Sequence, residues 1–396
     1  MNGASRMNRT PMRILIDILL LPLATLLALL KYGFHLQLVR VRSRRIGPFG
    51  GVDIFLRRQK LGLIPAAIHY IGLATKKVVN QQLLTMYKRV LPIVPLPQPT
   101  QLRIVMQYLA TRSLLSRLGL FPELKFNGNE FYELNNTPPN LSFTRAEKIH
   151  GQELLNRMKI TSWFICIHAR DSAYADQLLQ KRDHRHDFRN CDINNYLLAA
   201  EYITKQGGFA VRMGARVEKR ISNRNPQIID YASTYRSDFG DIYLPANCKF
   251  FLGTTAGLNT VPYIFNIPCA MANVIPITRC PPPGRKDLFI PKKVWSRQEN
   301  RFLTFREMIT SPAILAWQHS HFKEEDDLVP IENTLQEILD LASEMNERLN
   351  GTWKAEPEDE ERQQRFKALF HSDPHSNGFP SRLGAKFLRE NVALLD

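Results

Sequence analysis

The stretch FICIHARDSAY (164–174) decides the fold class of the second half of this chain. Its first four residues are mostly apolar and predict a buried strand. The chain then turns abruptly polar and presents His168, Arg170 and Asp171. An imidazole, a guanidinium and a carboxylate therefore stand where a hydrophobic strand ends.

The segments around this stretch alternate between strand and helix patterns. The predicted strands are GFAVRMG (208–214), DIYL (241–244), CKFFLG (248–253) and PCAMANVIP (268–276), and the predicted helices are NYLLAAEYITKQG (195–207) and TTAGLNTVPYIF (254–265). Such alternation predicts a parallel sheet with helices on both faces. Because ligands bind at the carboxyl ends of the strands in such sheets, the polar residues after 167 lie where a ligand is expected.

The first half predicts a second, smaller α/β domain. We expect a strand at 36–42, a loop bearing Gly47, Gly50 and Gly51, a helix or strand from 52, a buried strand at 63–73, a helix at 79–91 and a proline-rich loop at 92–100. A chain of 396 residues is also too long for one ordinary core. The fold class is therefore α/β with two domains.

The charge of the chain requires an anionic partner. The formal net charge is +16, and residues 1–60 hold eleven Lys and Arg against only Asp17 and Asp53. Nucleic acid, anionic lipid and anionic small molecules all fit such an excess. The basic end lacks interleaved aromatic residues and adjoins an apolar helix, so we predict an anionic membrane surface and no nucleic acid.

The apolar run at 14–30 is the one targeting candidate. It has 17 residues, includes Asp17 and Pro22, and is short for a spanning helix. No small-residue cleavage site follows it, which disfavours a signal peptide. We predict a helix lying in the cytoplasmic leaflet; a single span and a buried helix are the alternatives.

Cysteine usage and the absence of known motifs narrow the chemistry. The five cysteines form no C-x-x-C pair, which fits a reducing compartment. The sequence contains no Asp-x-Asp pair, no Walker A sequence and no G-x-S-x-G. We therefore predict no metal ion and no bound cofactor.

Three predicted strand ends converge on one edge of the sheet. They carry His168, Arg170 and Asp171; Arg212 and Gly214; and Thr254, Thr255 and Gly257. Hydroxyl-bearing residues opening a helix favour an anion, and guanidinium groups pair with phosphate oxygens. Each group alone is more often structural, as an ion-pair Arg, a hydrogen-bonding His or a tight turn. Together they predict a pocket for a nucleoside diphosphate.

Several segments resemble a family of bacterial glycosyltransferases of surface polysaccharide synthesis. They are RIGPFGGVDIFLRR (45–58), VVNQQLLTMYKRVL (78–91), ICIHARDSAY (165–174), RNCDINNYLLAAEYITKQGGFAVRMG (189–214), DYASTYRSDFGDIYLPANCKFFLGTTAG (230–257), DLFIPKKVW (287–295) and RLGAKFLRENVALL (382–395). His168–Arg170 also resembles the H-x-R element of fucosyltransferase-type enzymes with the GT-B fold. That likeness implies that Arg170 contacts the donor diphosphate, and it favours a GDP-sugar.

The resemblance implies a domain plan. It gives a membrane-associating segment (1–35), an acceptor domain (36–155), a nucleotide-sugar domain (156–300) and C-terminal helices packing back on the body (301–396). The two central domains would be Rossmann-like and face each other across a cleft.

The implied reaction transfers a sugar from a nucleotide sugar to a glycan or lipid-linked acceptor, at the cytoplasmic face of the inner membrane. The candidate bases are Asp171, His168 and Asp53, and Asp238 and Asp241 are candidates for ribose or sugar hydroxyls. Arg170, Thr254, Thr255 and Gly257, supported by Arg212 and Gly214, would hold the donor.

One departure leaves alternatives open. Relatives commonly carry His after the RIG element, where this chain has Pro48. A catalytically silent protein that binds nucleotides or anionic glycans is therefore an alternative, and so is another nucleotide-sugar enzyme such as an epimerase.

Overall fold

The computed structural model describes residues 9–96, 104–106, 108–109, 114–174, 184–279, 281–317 and 327–396. The chain divides into two compact units. Unit 1 comprises Met1–Phe126 with Asn140–Ser142, and unit 2 comprises Asn127–Pro139 with Phe143–Asp396. Each unit has its own parallel sheet, which confirms the predicted α/β class.

Unit 1 is built on three parallel strands in the order β1-β2-β3. The strands are β1 (Leu36–Val41), β2 (His69–Ala74) and β3 (Ile93–Pro95). The helices are α1 (Arg9–Leu19), α2 (Leu21–Ala28), α3 (Ile46–Phe49), α4 (Gly51–Lys60) and α5 (Gln81–Lys88), with a π-helical turn at Leu29–Gly33 and a 3-10 turn at Leu114–Leu118.

Strand β3 corrects the prediction that residues 92–100 are all loop. Ile93, Val94 and Pro95 pair with Gly72, Leu73 and Ala74. Proline disfavours a central strand because it lacks an N–H donor, but β3 is an edge strand and tolerates it.

The apolar N-terminal run does not form one continuous α-helix. It is divided into α1, α2 and the π-helical turn, with Pro22 in the first turn of α2. Ala24 and Leu27 pack into a core cluster that includes Leu73 and Phe121. Among the described residues, we find no helix with the length and apolar character needed to cross a bilayer.

Unit 2 is built on seven strands in the order β13-β9-β8-β7-β4-β5-β6, all of them parallel. They are β4 (Phe164–His168), β5 (Phe209–Arg212), β6 (Ile228–Ile229), β7 (Phe251–Gly253), β8 (Cys269–Val274), β9 (Leu288–Pro291) and β13 (Arg382–Leu383). A small antiparallel sheet in the order β11-β10-β12 contains β10 (Lys293–Ser296), β11 (Arg301–Phe302) and β12 (Leu328–Ile331).

The helices of unit 2 connect these strands. They are α6 (Phe131–Asn136), α7 (Arg145–Arg157), α8 (Leu197–Lys205), α9 (Tyr231–Thr234), α10 (Gly240–Asn247), α11 (Thr260–Ile264), α12 (Phe305–Thr310), α13 (Pro312–Ala316), α14 (Leu335–Asn350), α15 (Asp359–Ala368) and α16 (Ala385–Glu390). Three 3-10 turns lie at His184–Arg189, Ile193–Tyr196 and Val392–Leu395. Capping boxes begin α7, α12 and α14, which explains where these helices start.

The strand order reverses between β4 and β7. From β4 the chain builds outward through β5 to β6, then returns to the other side of β4 with β7 and continues to β8 and β9. A crevice forms where such a reversal leaves neighbouring strands with connections running in opposite directions. The reversal point is therefore where a ligand is expected in unit 2.

The stretch DIYL (241–244) is helical and not a strand, so that prediction is wrong. It lies in α10, which is buried along Gly240–Pro245. A short apolar run fits a buried strand and a buried helix equally well, and periodicity over four residues cannot separate them.

Candidate active site

The ends of β4 and β7 form one continuous edge. His168 ends β4 opposite Gly253, which ends β7. The backbone N–H of Thr254 then donates to the carbonyl oxygen of His168 at 3.1 Å. The predicted residues His168, Thr254 and Thr255 are therefore brought together at the reversal point.

Three polar atoms at this edge are buried without a hydrogen-bond partner among the described residues. They are Nδ1 of His168, Oγ1 of Thr254 and Oγ1 of Thr255. The Thr254 side chain is 0% exposed. Most buried polar groups are satisfied, so three unsatisfied ones on adjacent strand ends call for an explanation, and a bound polar ligand supplies one.

Two guanidinium groups lie beside these atoms. Arg170 donates to the carbonyl oxygen of His186 at 3.1 Å and to the side-chain oxygen of Asn190. Arg189 donates to the carbonyl oxygen of Thr255 at 2.6 Å. Burial, and secondarily the charge of Arg189, lowers the pKa of Arg170 to about 10, so Arg170 remains charged at neutral pH.

Arg189 was not predicted from the sequence. It lies in a 3-10 turn well after β4, so the search for residues directly after strands could not find it. The segment returns to the sheet edge because the backbone N–H of Cys191 donates to the carbonyl oxygen of Arg170 at 3.0 Å. The sequence carries no signal for that contact.

Lys292 is a second residue that sequence reasoning missed. It directly follows β9, is 2% exposed, and donates from Nζ to the carbonyl oxygen of Asn190 at 2.6 Å. Burial lowers the pKa of this ammonium group. Lys292 thus holds the backbone of the segment that carries Arg189 and the side-chain partner of Arg170.

His168 is neutral at physiological pH. Burial, followed by the charges of Arg212 and Arg170, lowers the pKa of its imidazole to about 3. A group with so low a pKa is a poor proton acceptor at pH 7. The position suits His168 for hydrogen bonding to a ligand better than for the predicted role of base.

Arg212 and Gly214 shape the loop after β5. The Arg212 side chain is 1% exposed and pairs with Asp230 at 2.9 Å, while Nη2 donates to the carbonyl oxygen of Lys219 at 3.1 Å. A Cβ atom on Gly214 would lie 2.7 Å from Cγ1 of Val217. Two of the three guanidinium nitrogens of Arg212 are therefore occupied by protein groups, whereas Nε is buried without a hydrogen-bond partner among the described residues. Gly214 allows the loop to turn.

Asp171 faces a cavity of about 180 Å³. Its two carboxylate oxygens accept from the backbone N–H groups of Glu218, at 3.0 Å, and Ala173, at 3.2 Å. Burial raises the pKa of Asp171. Glu218, Asp192 and Glu332 also line the cavity. Its volume is below the range of roughly 300–1,000 Å³ typical of ligand pockets, so it would hold only part of a nucleotide sugar.

Asp238 lies in the loop between α9 and α10, and Asp241 lies in the first turn of α10. Arg236 binds Asp238 at 2.9 Å and Asp241 at 2.8 Å, and the Tyr231 hydroxyl donates to Asp241 at 3.0 Å. Burial raises the pKa of Asp241 to about 6. Both carboxylates therefore take part in a protein network that orders this loop.

Asp53 lies in unit 1, on α4, and forms a buried ion pair with Arg57 at 2.5 Å. Its other carboxylate oxygen accepts from Asn140 at 2.9 Å. Burial raises the pKa of Asp53, although Arg57 opposes that rise. Both oxygens are engaged, so the geometry of Asp53 is that of a structural ion pair.

The predicted helix N-terminus at Thr254 is wrong. Helix α11 begins at Thr260, and Asn259 is its N-cap. Gly257 is exposed in the intervening loop. No helix dipole therefore acts at Thr254 and Thr255. The features that favour an anion there are the two unsatisfied hydroxyl groups and the neighbouring guanidinium groups.

Within the described ranges, no group of three or more His, Cys, Asp or Glu side chains is placed to hold a metal ion.

No family model and no curated protein matches this sequence. Solved structures do show similarity. A glycosyltransferase of family 9 from Veillonella parvula matches with a TM-score of 0.43 and 10% identity, covering 78% of this chain and 97% of that one.

Two further similar structures are from E. coli. ADP-heptose LPS heptosyltransferase II has a TM-score of 0.39 and 15% identity, covering 64% of this chain and 90% of that one. The iron-containing dodecameric glycosyltransferase TibC has a TM-score of 0.40 and 10% identity, covering 80% of this chain and 76% of that one. The chain is thus similar to bacterial glycosyltransferases.

Proposed function

We propose that this chain is a glycosyltransferase that moves a sugar from a nucleoside diphosphate sugar to a glycan or lipid-linked acceptor in surface polysaccharide synthesis. One observation carries the proposal. The reversal point of the unit 2 sheet places three unsatisfied buried polar atoms beside Arg170 and Arg189. This combination suits a diphosphate, whose oxygens accept hydrogen bonds and carry negative charge.

In the proposed reaction, the bond between the sugar and the diphosphate breaks and a bond from the sugar to the acceptor oxygen forms. Arg170 and Arg189 stabilise the charge that develops on the departing diphosphate, and the Thr254 and Thr255 hydroxyls donate to its oxygens. This assigns the stabilisation of the leaving group to side chains of the protein, so the proposal requires no metal ion.

Asp171 is the proposed base that takes the proton of the acceptor hydroxyl. It lines the cavity, and burial raises its pKa, which makes the carboxylate a stronger base. His168 is a weaker candidate because its imidazole has a low pKa. Asp53 is weaker because its carboxylate forms a buried ion pair with a guanidinium, whereas the partners of Asp171 are uncharged backbone N–H groups.

A turnover assay tests the proposal. The full chain is incubated in EDTA with ADP-, GDP-, UDP-, CDP- and dTDP-sugars and a cell-envelope glycan fraction, and nucleoside diphosphate release and sugar incorporation are measured. Transfer releases the nucleotide and labels the glycan. A changed sugar without release would indicate an epimerase, and binding without turnover would indicate a silent binding protein.

We also propose that unit 1 attaches the protein to the cytoplasmic face of the inner membrane. The support is the outer side of α1 and α2, where Leu15, Leu19 and Leu26 are exposed while Ala24 and Leu27 pack inward. A segment with one face on the protein core and apolar side chains outward suits a position in the membrane surface.

A further inference from the structure

The carboxyl edge of the unit 1 sheet carries four cations, which we call the basic edge: Arg44, Arg45, Lys76 and Lys77. The first two follow β1 and the last two follow β2. These strands are parallel and in register up to Val41 and Ala74, so the two loops leave the sheet side by side. All four side chains belong to exposed residues.

Few acidic residues lie near the basic edge in sequence. Residues 36–90 contain eleven Lys and Arg against Asp53 alone, and Asp53 is buried against Arg57. Glu123 pairs with Arg40 at 3.0 Å and Arg42 at 3.6 Å. In the part of the chain that the structure describes, no ion pair involves the basic edge.

The two loops are tied to each other. The hydroxyl of Ser43, which is fully buried, lies 3.2 Å from that of Thr75. The backbone N–H of Val79 donates to the carbonyl oxygen of Ser43 at 2.9 Å, and Asn80 caps α5 through Leu83. The loops therefore hold like charges together without neutralising them, an arrangement that attracts an anion.

A membrane does not account for the basic edge. Exposed Tyr32 and Phe34 precede β1, and exposed Leu63 precedes β2, so these apolar side chains belong to the amino-terminal side of the sheet. Strand β1 has six residues and spans about 20 Å, whereas charges in physiological salt are screened beyond about 8 Å. A bilayer in contact with the apolar side would leave the basic edge distant from it.

We propose that the basic edge binds the acidic groups of an anionic glycan, carboxylate, sulfate or phosphate. That the ligand carries negative charge rests on the basic edge alone, whereas its being a glycan, and the acceptor, rests on the proposed transferase function. Carboxylate, sulfate and phosphate oxygens all pair with guanidinium and ammonium groups, so the chemistry shared by these glycans is what the site recognises.

The probe for this site is a sulfated, uronate-containing tetrasaccharide prepared from heparin, with neutral maltotetraose for comparison. Its binding is titrated against the full chain and the variant Arg44→Gln, Arg45→Gln, Lys76→Gln, Lys77→Gln. The matched control variant is Arg145→Gln, Lys148→Gln, Arg157→Gln, Lys205→Gln, which removes four exposed charges from unit 2. Because both variants lose the same charge, general electrostatic attraction is held equal.

We expect the basic-edge variant to bind the tetrasaccharide at least about tenfold more weakly, the control to bind like wild type, and maltotetraose not to bind. Equal losses in both variants would overturn the proposal. So would a basic-edge variant that loses binding to phosphatidylglycerol vesicles but keeps the tetrasaccharide, because the site would then recognise lipid headgroups.

Two further measurements separate a loss of the glycan site from misfolding and from a failure of the proposed transferase function. The single variants Arg45→Gln and Lys77→Gln should each show a partial loss, so one unstable fourfold variant does not decide the matter. Nucleoside diphosphate binding is measured on the same samples. If wild type binds the tetrasaccharide at the basic edge but no nucleotide, the proposed transferase function fails and the anionic-glycan site stands.

Discussion

Single residues at the strand ends were the most predictable part of this protein. His168, Thr254 and Thr255 were found because a hydrophobic run that ends in polar residues marks a ligand edge in a parallel sheet. Arg189 and Lys292 were not found, because they reach the edge through a turn and a distant strand. Contacts between residues far apart in sequence produce no periodicity or motif in the sequence from which they could be predicted.

Thr254 allows a test in which binding and stability separate. Its hydroxyl is buried without a partner, so Thr254→Val should leave the free energy of unfolding unchanged or raise it. Removal of a donor to the diphosphate should weaken nucleotide binding by about 1 kcal/mol. Calorimetry and urea unfolding measure the two effects, and a parallel loss of stability and binding would show that the hydroxyl serves the fold instead.

Asp287 predicts a pH dependence of stability. Its carboxylate accepts from the backbone N–H groups of Cys269 and Gly284, and burial raises its pKa to about 7. Because the folded pKa lies above the unfolded one, ionisation favours the unfolded chain, and stability should fall as pH rises from about 4 to about 7. A shift of this size corresponds to about 4 kcal/mol. Urea unfolding of wild type and Asp287→Asn across this range measures it, and identical pH profiles would contradict the assignment.

At the level of elements, the sequence predicted most strands and helices where the pattern was long. The helix at 195–207 and the strand at 268–276 are close to α8 and β8. Two predictions for short segments were wrong: DIYL is helical and not a strand, and Ile93–Pro95 is a strand and not a loop. Three or four apolar residues fit the helix and the strand periodicity equally well, so packing in the folded protein determines which structure such a segment adopts.

Helices α1 and α2 allow a test of the proposed membrane contact. Leu19 is 70% and Leu26 51% exposed, and we propose that both enter a lipid surface. The variant Leu19→Asp, Leu26→Asp should reduce binding to phosphatidylglycerol vesicles at least about tenfold, since each apolar side chain contributes roughly 1.5–3 kcal/mol when buried. Vesicle sedimentation measures the fraction of wild type and variant that binds the vesicles.

The matched control for this variant is Tyr132→Asp, Ile149→Asp, which alters two similarly exposed residues of unit 2, at 61% and 54%. Equal vesicle binding by wild type and both variants would show that α1 and α2 do not form the membrane contact.

For the whole molecule, the sequence predicted two α/β parts but not their strand orders. The reversal between β4 and β7 arises from which strand joins which side of the sheet, and neither periodicity nor composition encodes that order. This order nevertheless selects the ligand edge of unit 2. The basic edge of unit 1 could not be predicted from the sequence, because the pairing of β1 with β2 is what brings their following loops together.

The most direct test of the account is calorimetric titration of the full chain with ADP, GDP, UDP, CDP and dTDP in EDTA. Wild type is compared with Arg170→Ala and with Arg216→Ala, an exposed arginine of the same unit as control. We expect at least one diphosphate to bind wild type and Arg170→Ala alone to weaken that binding by roughly 1.5–3 kcal/mol, as for a charge-assisted hydrogen bond. If no nucleoside diphosphate binds wild type, the donor pocket at the ends of β4 and β7 is contradicted.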